Sequence, residues 1–232
     1  MRIILSLSLL LLGMQSYVYA DSGSTMVLSG LWRYEKISHG GDTALANKGL
    51  FLFHQGRFFQ QTIDDDMGQA HAGSYNINGD LVSLDVEMGV LVRENSEPVL
   101  AIRQNAENHA KMSFKNDVLV LEFEESTVQT LTKLADVKNI KIYPLNGGYL
   151  VFIDNSFIYM RLEDDDFVAG SGAYLKEEEG YSLHANPWIS VSGNRVSYSH
   201  DEHINLNLER KAFCFPDGRK LKLKMAEGDE VE

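Results

Sequence analysis

The chain has 232 residues, of which 33 are acidic and 21 are basic, and its net charge is −12 at neutral pH. Such an acidic chain is disfavoured as a partner of nucleic acid or of an anionic membrane surface. Cys214 is the only cysteine, so no disulfide can form within the chain and the fold must depend on its core. Because Cys214 stands between two phenylalanines, it is expected to be a buried strand residue.

Residues 1–20 are predicted to be a secretory signal peptide. Arg2 precedes the apolar run IILSLSLLLLGM, and VYA at 18–20 has the small-residue spacing of a cleavage site. The apolar run is shorter than the roughly 20 residues that a membrane-spanning helix needs, and no later segment is apolar enough to span. The protein is therefore expected to be exported, either to a periplasm or to the medium.

The rest of the chain is rich in short apolar segments separated by Gly, Asn and Asp. In SYNINGDLVSLDVE the apolar residues at 75, 77, 82, 84 and 86 alternate with polar ones, and this period-two pattern predicts strands with one dry face. NGD at 78–80 and KND at 115–117 are suited to tight hairpin turns. PVLAIRQNAENHAKM from Pro98 is the best candidate for a short helix, and STVQTLTKLADVK is a weaker one. An all-β, antiparallel fold is therefore predicted.

The chain contains an internal repeat. NKGLFLFHQGRFFQQTI, which starts at residue 47, aligns with NGGYLVFIDNSFIYMRL, which starts at residue 146, and Gly73 and Tyr75 align with Gly172 and Tyr174 at the same offset of 99. Further on, KNDVLVLEFEESTVQTLTK resembles SGNRVSYSHDEHINLNLER, with Val118 over Val196, an offset of 78. The two offsets imply that the second copy has lost about 21 residues in its middle.

The repeat defines the expected domain organisation. Residues 21–134 are predicted to be the first copy and residues 135–225 a degenerate second copy, and residues 226–232 a disordered tail. No Pro-, Gly- or Ser-rich linker separates the copies, so we expect them to pack against each other or to share a sheet.

Four segments of the first copy carry a family resemblance. LSGLWRYEKIS contains Gly30-x-Trp32, and GLFLFHQGRFF, AHAGSYNINGDLVSLDVE and VLVLEFEESTVQTLTKL follow it in that order. From Leu28 to about Leu134 the chain resembles a lipocalin-like domain of the calycin group. The resemblance implies an up-and-down β-barrel, a small apolar ligand, and a basic side chain of the last strand packed over the tryptophan. Lys133 is the corresponding residue, although arginine would match the family better because a guanidinium stacks flat.

The second copy matches the hairpins of the first but lacks the opening G-x-W. Its closing strand INLNLERK carries Arg210. Two architectures follow. Each copy forms a lipocalin-like barrel, the second one completed by the extra hairpin AFCFPDGRKLKLKM, and this is the favoured prediction. Alternatively, one larger continuous barrel has Trp32 in its first strand and Arg210 near its last.

Two kinds of segment raise the question of a metal site. The triplets DDD at 64–66 and 164–166 lack the spaced D-x-D-x-D-G pattern that wraps a loop around calcium, so solvated loops are expected. SHDEHIN contains His200 and His203, but residues three apart on a strand point to opposite faces, whereas zinc needs converging ligands. We therefore predict an exposed hairpin there, and neither a metal nor a cofactor.

The inward face of the barrel supplies the candidate binding residues. His71 shares a strand face with Gly73 and Tyr75, and the aligned residue of the second copy is Gly170, so the fold does not require the histidine. An inward histidine near a barrel mouth can hold a polar group of a ligand or act as an acid or base. The candidate ligand-binding set is His71, Tyr75, Phe51, Phe53 and Phe59.

No catalytic motif is present in the sequence, whether a G-x-S-x-G elbow, a P-loop or a G-x-G-x-x-G turn. The function favoured by the sequence is the binding of a small apolar molecule or lipid in a barrel pocket. Two alternatives stay open. One is a cofactor-free isomerase or cyclase with His71 or Tyr75 as acid or base, and the other is a protein-interaction module whose barrels are filled by their own side chains.

Overall fold

A computed structural model describes most of the chain from residue 28 onwards. The described residues are 28–40, 42–44, 49–63, 67–93, 98–102, 107–124, 126–164, 166–178, 180–199, 201–207 and 210–224. The predicted signal peptide, the first aspartate triplet and the predicted tail lie outside them. The described residues form two antiparallel sheets, which confirms the all-β prediction.

The first sheet closes into a barrel. Its strands are β1 (Gly30–His39), β2 (Asp42–Ala44), β3 (Gly49–His54), β4 (Arg57–Ile63), β5 (Met67–Asn78), β6 (Leu81–Arg93), β7 (Val99–Ile102), β8 (Glu107–Lys115), β9 (Val118–Phe123) and β10 (Thr127–Ala135). Their order is β10-β9-β8-β6-β5-β4-β3-β1, and β1 pairs back onto β10, so eight strands form a ring. Closure leaves the ring without an unpaired edge. The short strands β2 and β7 attach to β1 and β6 outside the ring.

The second sheet is curled but open, with the shape of a half-barrel. It contains β11 (Ile140–Leu145), β12 (Gly148–Ile153), β13 (Ser156–Glu163), β14 (Asp166–Glu177), β15 (Gly180–Ser192), β16 (Arg195–Ser199), β17 (Glu202–Asn207), β18 (Ala212–Cys214) and β19 (Lys220–Lys222). Among the described residues no strand pairing joins its first and last strands. The two edges approach each other at one point, where the backbone N–H of Asn146 donates to the carbonyl of Lys224 at 2.6 Å.

The prediction of two barrel-like copies is thus confirmed over the alternative of one larger barrel. Because β1 pairs with β10, the first copy completes its own ring. The second copy does not complete one, since the hairpin of β18 and β19 has only three residues in each strand. Cys214, expected to be a buried strand residue, lies at the end of β18 and is half-buried.

The repeat is visible in the strand bounds. The strands β3, β4, β5 and β6 recur as β12, β13, β14 and β15, with starts at 49, 57, 67 and 81 followed by 148, 156, 166 and 180. A β-bulge interrupts the pairing of β5 with β6 at Glu87 and the pairing of β14 with β15 at the equivalent place. The offset of 99 therefore applies to four strands and to the irregularity within them.

The later offset of 78 was wrong. In the first copy β6 pairs with β7 at one end and with β8 at the other, and β15 pairs in the same way with β16 and β17. Segment 195–207 is therefore the counterpart of β7 and β8, and the second copy is shortened in its last strands instead of its middle. Pattern alignment slipped by one hairpin because every strand carries the same alternation.

Both segments proposed as helices are strands. The stretch from Pro98 supplies β7 and β8, and STVQTLTKLADVK supplies β10. β8 and β10 each pair with a strand on both sides, and β7 pairs with the long strand β6. Strand pairing therefore outweighs the weak local preference of these segments for a helix. No helix in the described part of the chain is long and apolar enough to cross a membrane.

Three apolar clusters stabilise the two sheets. One fills the barrel around Trp32, Phe51 and Leu121, and one lies on the concave face of the half-barrel around Trp188 and Phe213. The third joins the outer wall of the barrel to the other face of the half-barrel. The two copies therefore pack against each other, as the absence of a linker predicted.

A polar cluster reinforces this contact between the copies. Arg57 donates to Glu87 at 2.8 and 3.1 Å and to the hydroxyl of Tyr149 at 2.7 Å, and that hydroxyl donates to Glu87 at 2.9 Å. The bulge at Glu87 matters here because it turns the carboxylate to the outer wall of the barrel. The Tyr149 ring also meets the edge of Phe59 at 5.3 Å.

The expected inward position of Phe59 is wrong. Strand β4 is buried on both faces, with Phe58 inside the barrel and Phe59 in the contact with the second sheet. A strand covered on both sides has no dry and wet alternation, so its apolar residues do not reveal which face is which.

Replacing Phe59 by alanine tests this assignment. Because the ring is fully buried between the sheets, we expect Phe59→Ala to lower the free energy of unfolding by about 3 kcal/mol or more. Leu175→Ala, at a residue that is 71% exposed, serves as the control and should change it by less than about 0.5 kcal/mol. Urea denaturation followed by circular dichroism measures both. Equal small effects would contradict the assignment.

Candidate functional site

A cavity of about 350 Å³ occupies one end of the barrel. It lies at the end where β4 and β6 finish and where β8 and β10 begin, opposite the end that holds Trp32. Its apolar lining residues are Phe58, Leu84, Val86, Leu91 and Phe123, and its polar lining residues are Gln60, Gln69, His71, Asn108, His109, Glu124, Thr127 and Gln129. The volume falls within the range of small-molecule pockets.

A chain of buried polar groups leads from the barrel interior to the cavity. The hydroxyl of Tyr34 donates to Oε1 of Gln60 at 2.7 Å, and Oε1 of Gln129 lies 3.2 Å from the same hydroxyl. Nε2 of Gln60 is 2.6 Å from Nδ1 of His71. Tyr34 is 1% exposed, so its hydroxyl is removed from water and needs these partners.

The direction of donation along these hydrogen bonds fixes the tautomer of His71. Oε1 of Gln60 accepts from Tyr34, so the other end of the same amide is the donor, and Nδ1 of His71 must accept from it. A neutral imidazole that accepts at Nδ1 carries its proton on Nε2. The polar chain therefore ends in an N–H donor at the cavity.

A second polar side chain belongs to the same wall of the cavity. Gln69 is 8% exposed, and its Nε2 has no hydrogen-bond partner among the described residues. It lies two residues before His71 on β5, so both side chains point inward. The nitrogen itself is buried with almost no accessible surface, so it lies within the barrel wall and is not open to the cavity.

Burial sets the protonation of both ends of the polar chain. Desolvation lowers the pKa of His71 from 6.5 to about 4, so the imidazole is neutral at neutral pH. Desolvation also raises the pKa of Tyr34 well above its ordinary value, so the phenol keeps its proton and can donate. A histidine with so low a pKa is a weak general base at neutral pH.

The other predicted inward residues lie beneath the cavity. Phe51 stacks on Phe53 with ring centroids 4.2 Å apart, and Phe53 meets the edge of Tyr75 at 5.1 Å. These three residues belong to the packed core of the barrel. Of the five candidate binding residues, therefore, only His71 is a described lining residue of the cavity.

The residues of the proposed structural motif separate into two groups. Gly30 and Trp32 lie on β1, and Nζ of Lys133 on β10 is 5.9 Å from the centre of the Trp32 ring. The indole N–H donates to the carbonyl of Leu28 at 3.0 Å, so this end of the barrel is closed by the tryptophan. Arg210 is exposed in a turn before β18, where its backbone N–H donates to Asn207 at 2.8 Å, and it caps no tryptophan.

The two copies fill the equivalent place by opposite means. In the barrel His71 faces Gly89, and a Cβ at Gly89 would come within 2.1 Å of the imidazole. In the half-barrel Gly170 faces Trp188, and a Cβ at Gly170 would come within 2.1 Å of the indole. The large ring therefore stands on β5 in the barrel but on β15, the counterpart of β6, in the half-barrel. It is a polar imidazole in the first copy and an apolar indole in the second.

The segments considered for metals carry no ligand set among the described residues. His203 stacks on His184 with ring centres 4.6 Å apart, and His184 hydrogen-bonds Asp201, while His200 lies outside the described residues. Asp164 and Asp166 flank the junction of β13 with β14, as expected of a connecting loop.

Comparison with known proteins gave no match to any family model, curated protein or solved structure.

Sequence inspection missed most of the site. Gln60, Gln69 and Gln129 are glutamines on strands, a residue type that is usually exposed, and Tyr34 comes from a strand distant in sequence. The sequence could have indicated these residues only as polar side chains at strand positions that should face inward. Only His71 was identified in this way.

The low pKa of His71 makes a prediction about stability. Because the folded-state pKa lies below the unfolded value of 6.5, this group stabilises the fold fully above pH 6.5 and loses that contribution as the pH falls to about 4. The shift corresponds to about 3 kcal/mol. We expect wild type to lose this amount relative to His71→Gln across the interval, as measured by urea denaturation at a series of pH values. Parallel profiles would contradict the buried, neutral state.

Proposed function

We propose that this protein is an exported, lipocalin-like binding protein that holds a small, mainly apolar molecule in the open end of its first barrel. The observation that carries the proposal is the cavity of about 350 Å³, which lies above a filled core in a closed ring of eight strands. Export is inferred from residues 1–20, and the lipocalin-like kinship from Gly30, Trp32 and Lys133 together with the ordered hairpins.

The lining suits a molecule with both an apolar and a polar part. Eight polar residues line the cavity together with five apolar ones, which are Phe58, Leu84, Val86, Leu91 and Phe123. Burial of apolar ligand surface supplies affinity, and the fixed polar groups orient the ligand. This division of roles is typical of small-molecule sites.

The cavity favours binding over the alternative of a protein-interaction module with filled barrels. The filled part of the barrel ends at Tyr34 and Phe58, and the space beyond them is large enough for more than a few waters. The enzyme alternative has less support, because an imidazole with a pKa of about 4 accepts a proton poorly at neutral pH.

The second copy suggests how to block the site. The double variant His71→Gly with Gly89→Trp transfers the ring arrangement of Gly170 and Trp188 into the barrel. We expect it to bind the neutral fluorescent probe N-phenyl-1-naphthylamine at least about tenfold more weakly than wild type, because the indole occupies the cavity. Fluorescence titration measures this, and circular dichroism checks that the variant is folded.

Two controls accompany this titration. Leu175→Trp adds an indole at an exposed residue far from the barrel interior and should leave probe binding unchanged. Native mass spectrometry of wild type purified without detergent should detect a bound small molecule that the double variant lacks. Probe binding that is equal in wild type and a folded double variant would contradict the proposed site.

A further inference from the structure

We propose that the concave face of the half-barrel holds a second binding site, a cleft that takes a small apolar anion such as an aromatic carboxylate. This inference goes beyond the proposed function, which concerns the barrel cavity alone. It is carried by the place of the cleft within the repeat and by the charges that surround the cleft.

The cleft occupies the same place in the repeat as the barrel cavity. Its volume is about 280 Å³, and β14 and β15 contribute Val168, Trp188 and Ser190 to its lining. At the offset of 99 the counterparts of these residues in the first copy are Gln69, Gly89 and Leu91. The first and last of these counterparts line the barrel cavity, and the glycine faces His71. Both copies have therefore kept a space at this position.

The half-barrel closes this space with a different wall. The barrel uses residues of β8 to β10, whereas here the hairpin of β18 and β19 contributes Phe215 and Leu221. The Phe215 ring meets the Trp188 ring edge-on, with centroids 5.6 Å apart. Val168 stands where the barrel has an amide side chain, so the floor of the cleft is apolar and largely aromatic. Such a floor suits a flat apolar ring.

Two cations line the cleft. Among its described lining residues the only charged side chains are those of Arg219 and Lys220. The guanidinium of Arg219 lies over the Phe215 ring at 4.5 Å. It also pairs with Asp217 and, at 3.8 Å, with Glu202, so much of its charge is compensated. Lys220 is exposed and forms no ion pair with any other described residue, so its ammonium group remains for a ligand.

The surrounding charge also favours an anion. Residues 210–224 contain six basic residues and one acidic residue, so this hairpin has a net charge of +5 in a chain whose total is −12. A local field of this sign attracts anions. A neighbouring cleft, which shares Val168 and Leu221 with this one, is lined by the carboxylates of Glu163, Asp164 and Asp166. The acidic groups therefore lie beyond the apolar floor, and the charged end of a ligand is directed towards Lys220.

The barrel cavity differs from the cleft in charge. Its described lining residues include Glu124 but neither lysine nor arginine. A side chain that stays positively charged at neutral pH is therefore found in the cleft and not in the described lining of the cavity. The two copies keep a space at the same position but select ligands of different charge.

The test uses a matched pair of ligands, 2-naphthoate and its neutral isostere 2-naphthamide, at neutral pH. The chain has two tryptophans, and two-dimensional NMR of protein labelled with ¹⁵N-tryptophan gives one indole N–H signal for each. Trp188→Phe assigns the signals. We expect both ligands to shift the Trp188 signal and 2-naphthoate to bind about fivefold more tightly, because one exposed ion pair supplies about that factor. The Trp32 signal should not move, since that indole closes the far end of the barrel.

A pair of charge variants locates the anion. Lys220→Gln removes the cation that lines the cleft and should lower the affinity for 2-naphthoate about fivefold, to that of 2-naphthamide. Lys211→Gln is the matched control, because it removes an exposed cation of the same hairpin that is not a lining residue. It should change the ratio of the two affinities by less than about twofold, since salt screens distant exposed charges.

Three results would overturn this inference. Equal binding of the two ligands to wild type would refute the preference for an anion, and this comparison needs no variant to fold. A loss in Lys211→Gln as large as that in Lys220→Gln would show attraction by the whole hairpin instead of a site. A Trp188 signal that neither ligand moves would refute the cleft itself. Binding of N-phenyl-1-naphthylamine in the barrel is measured separately, so the failure of either proposal leaves the other intact.

Discussion

The pairing of β1 with β10 is the constraint on which the rest of the molecule depends. It joins the first strand of the first copy to the last, with Trp32 opposite Lys133, and thereby creates an inside and an outside. Inward residues must then either fill the ring or leave a space. At the Trp32 end aromatic rings fill it, and at the other end Gln60, Gln69 and His71 leave a cavity. In its described residues the second copy has no such closing pair, and Trp188 stands opposite the position that corresponds to His71.

The cost of placing polar groups inside the barrel explains their arrangement. A buried phenol or amide loses its hydration, so each must find a partner. Tyr34, Gln60 and His71 satisfy one another in series, and the direction of donation is fixed along the whole series. The series consequently delivers a donor to the cavity and not an acceptor. Because burial keeps the imidazole neutral, the series ends in a hydrogen-bond donor that carries no positive charge.

The first copy also depends on what covers it. The bulge at Glu87 occurs in a strand pair that faces the half-barrel, and it sets the carboxylate beside Arg57 and Tyr149. The half-barrel thus acts as a cover for the outer wall of the barrel, with Phe59 in the contact. Two copies of one hairpin pattern have taken different roles, one enclosing a cavity and the other supporting it.

The sequence predicted the parts of this fold that depend on local pattern. Period-two alternation identified the strands, turn residues identified the hairpins, and the offset of 99 identified the repeat through β6 and β15. It failed where a strand is buried on both faces, as at Phe59, and where similar strands allowed the alignment to slip, which produced the mistaken offset of 78. The link from Gln60 to Tyr34 was out of reach, because it depends on how the distant strands come together in the ring.

The tautomer of His71 is the most direct test of the central claim, namely that a series of buried polar groups ends in a donor facing a ligand. Two-dimensional NMR of protein labelled with ¹⁵N-histidine distinguishes the two neutral forms and the imidazolium. The account predicts a neutral ring at neutral pH with the proton on Nε2, and a change in the Nε2 resonance when 2-decanone is added but not when decane is added. A proton on Nδ1, or an imidazolium, would contradict it.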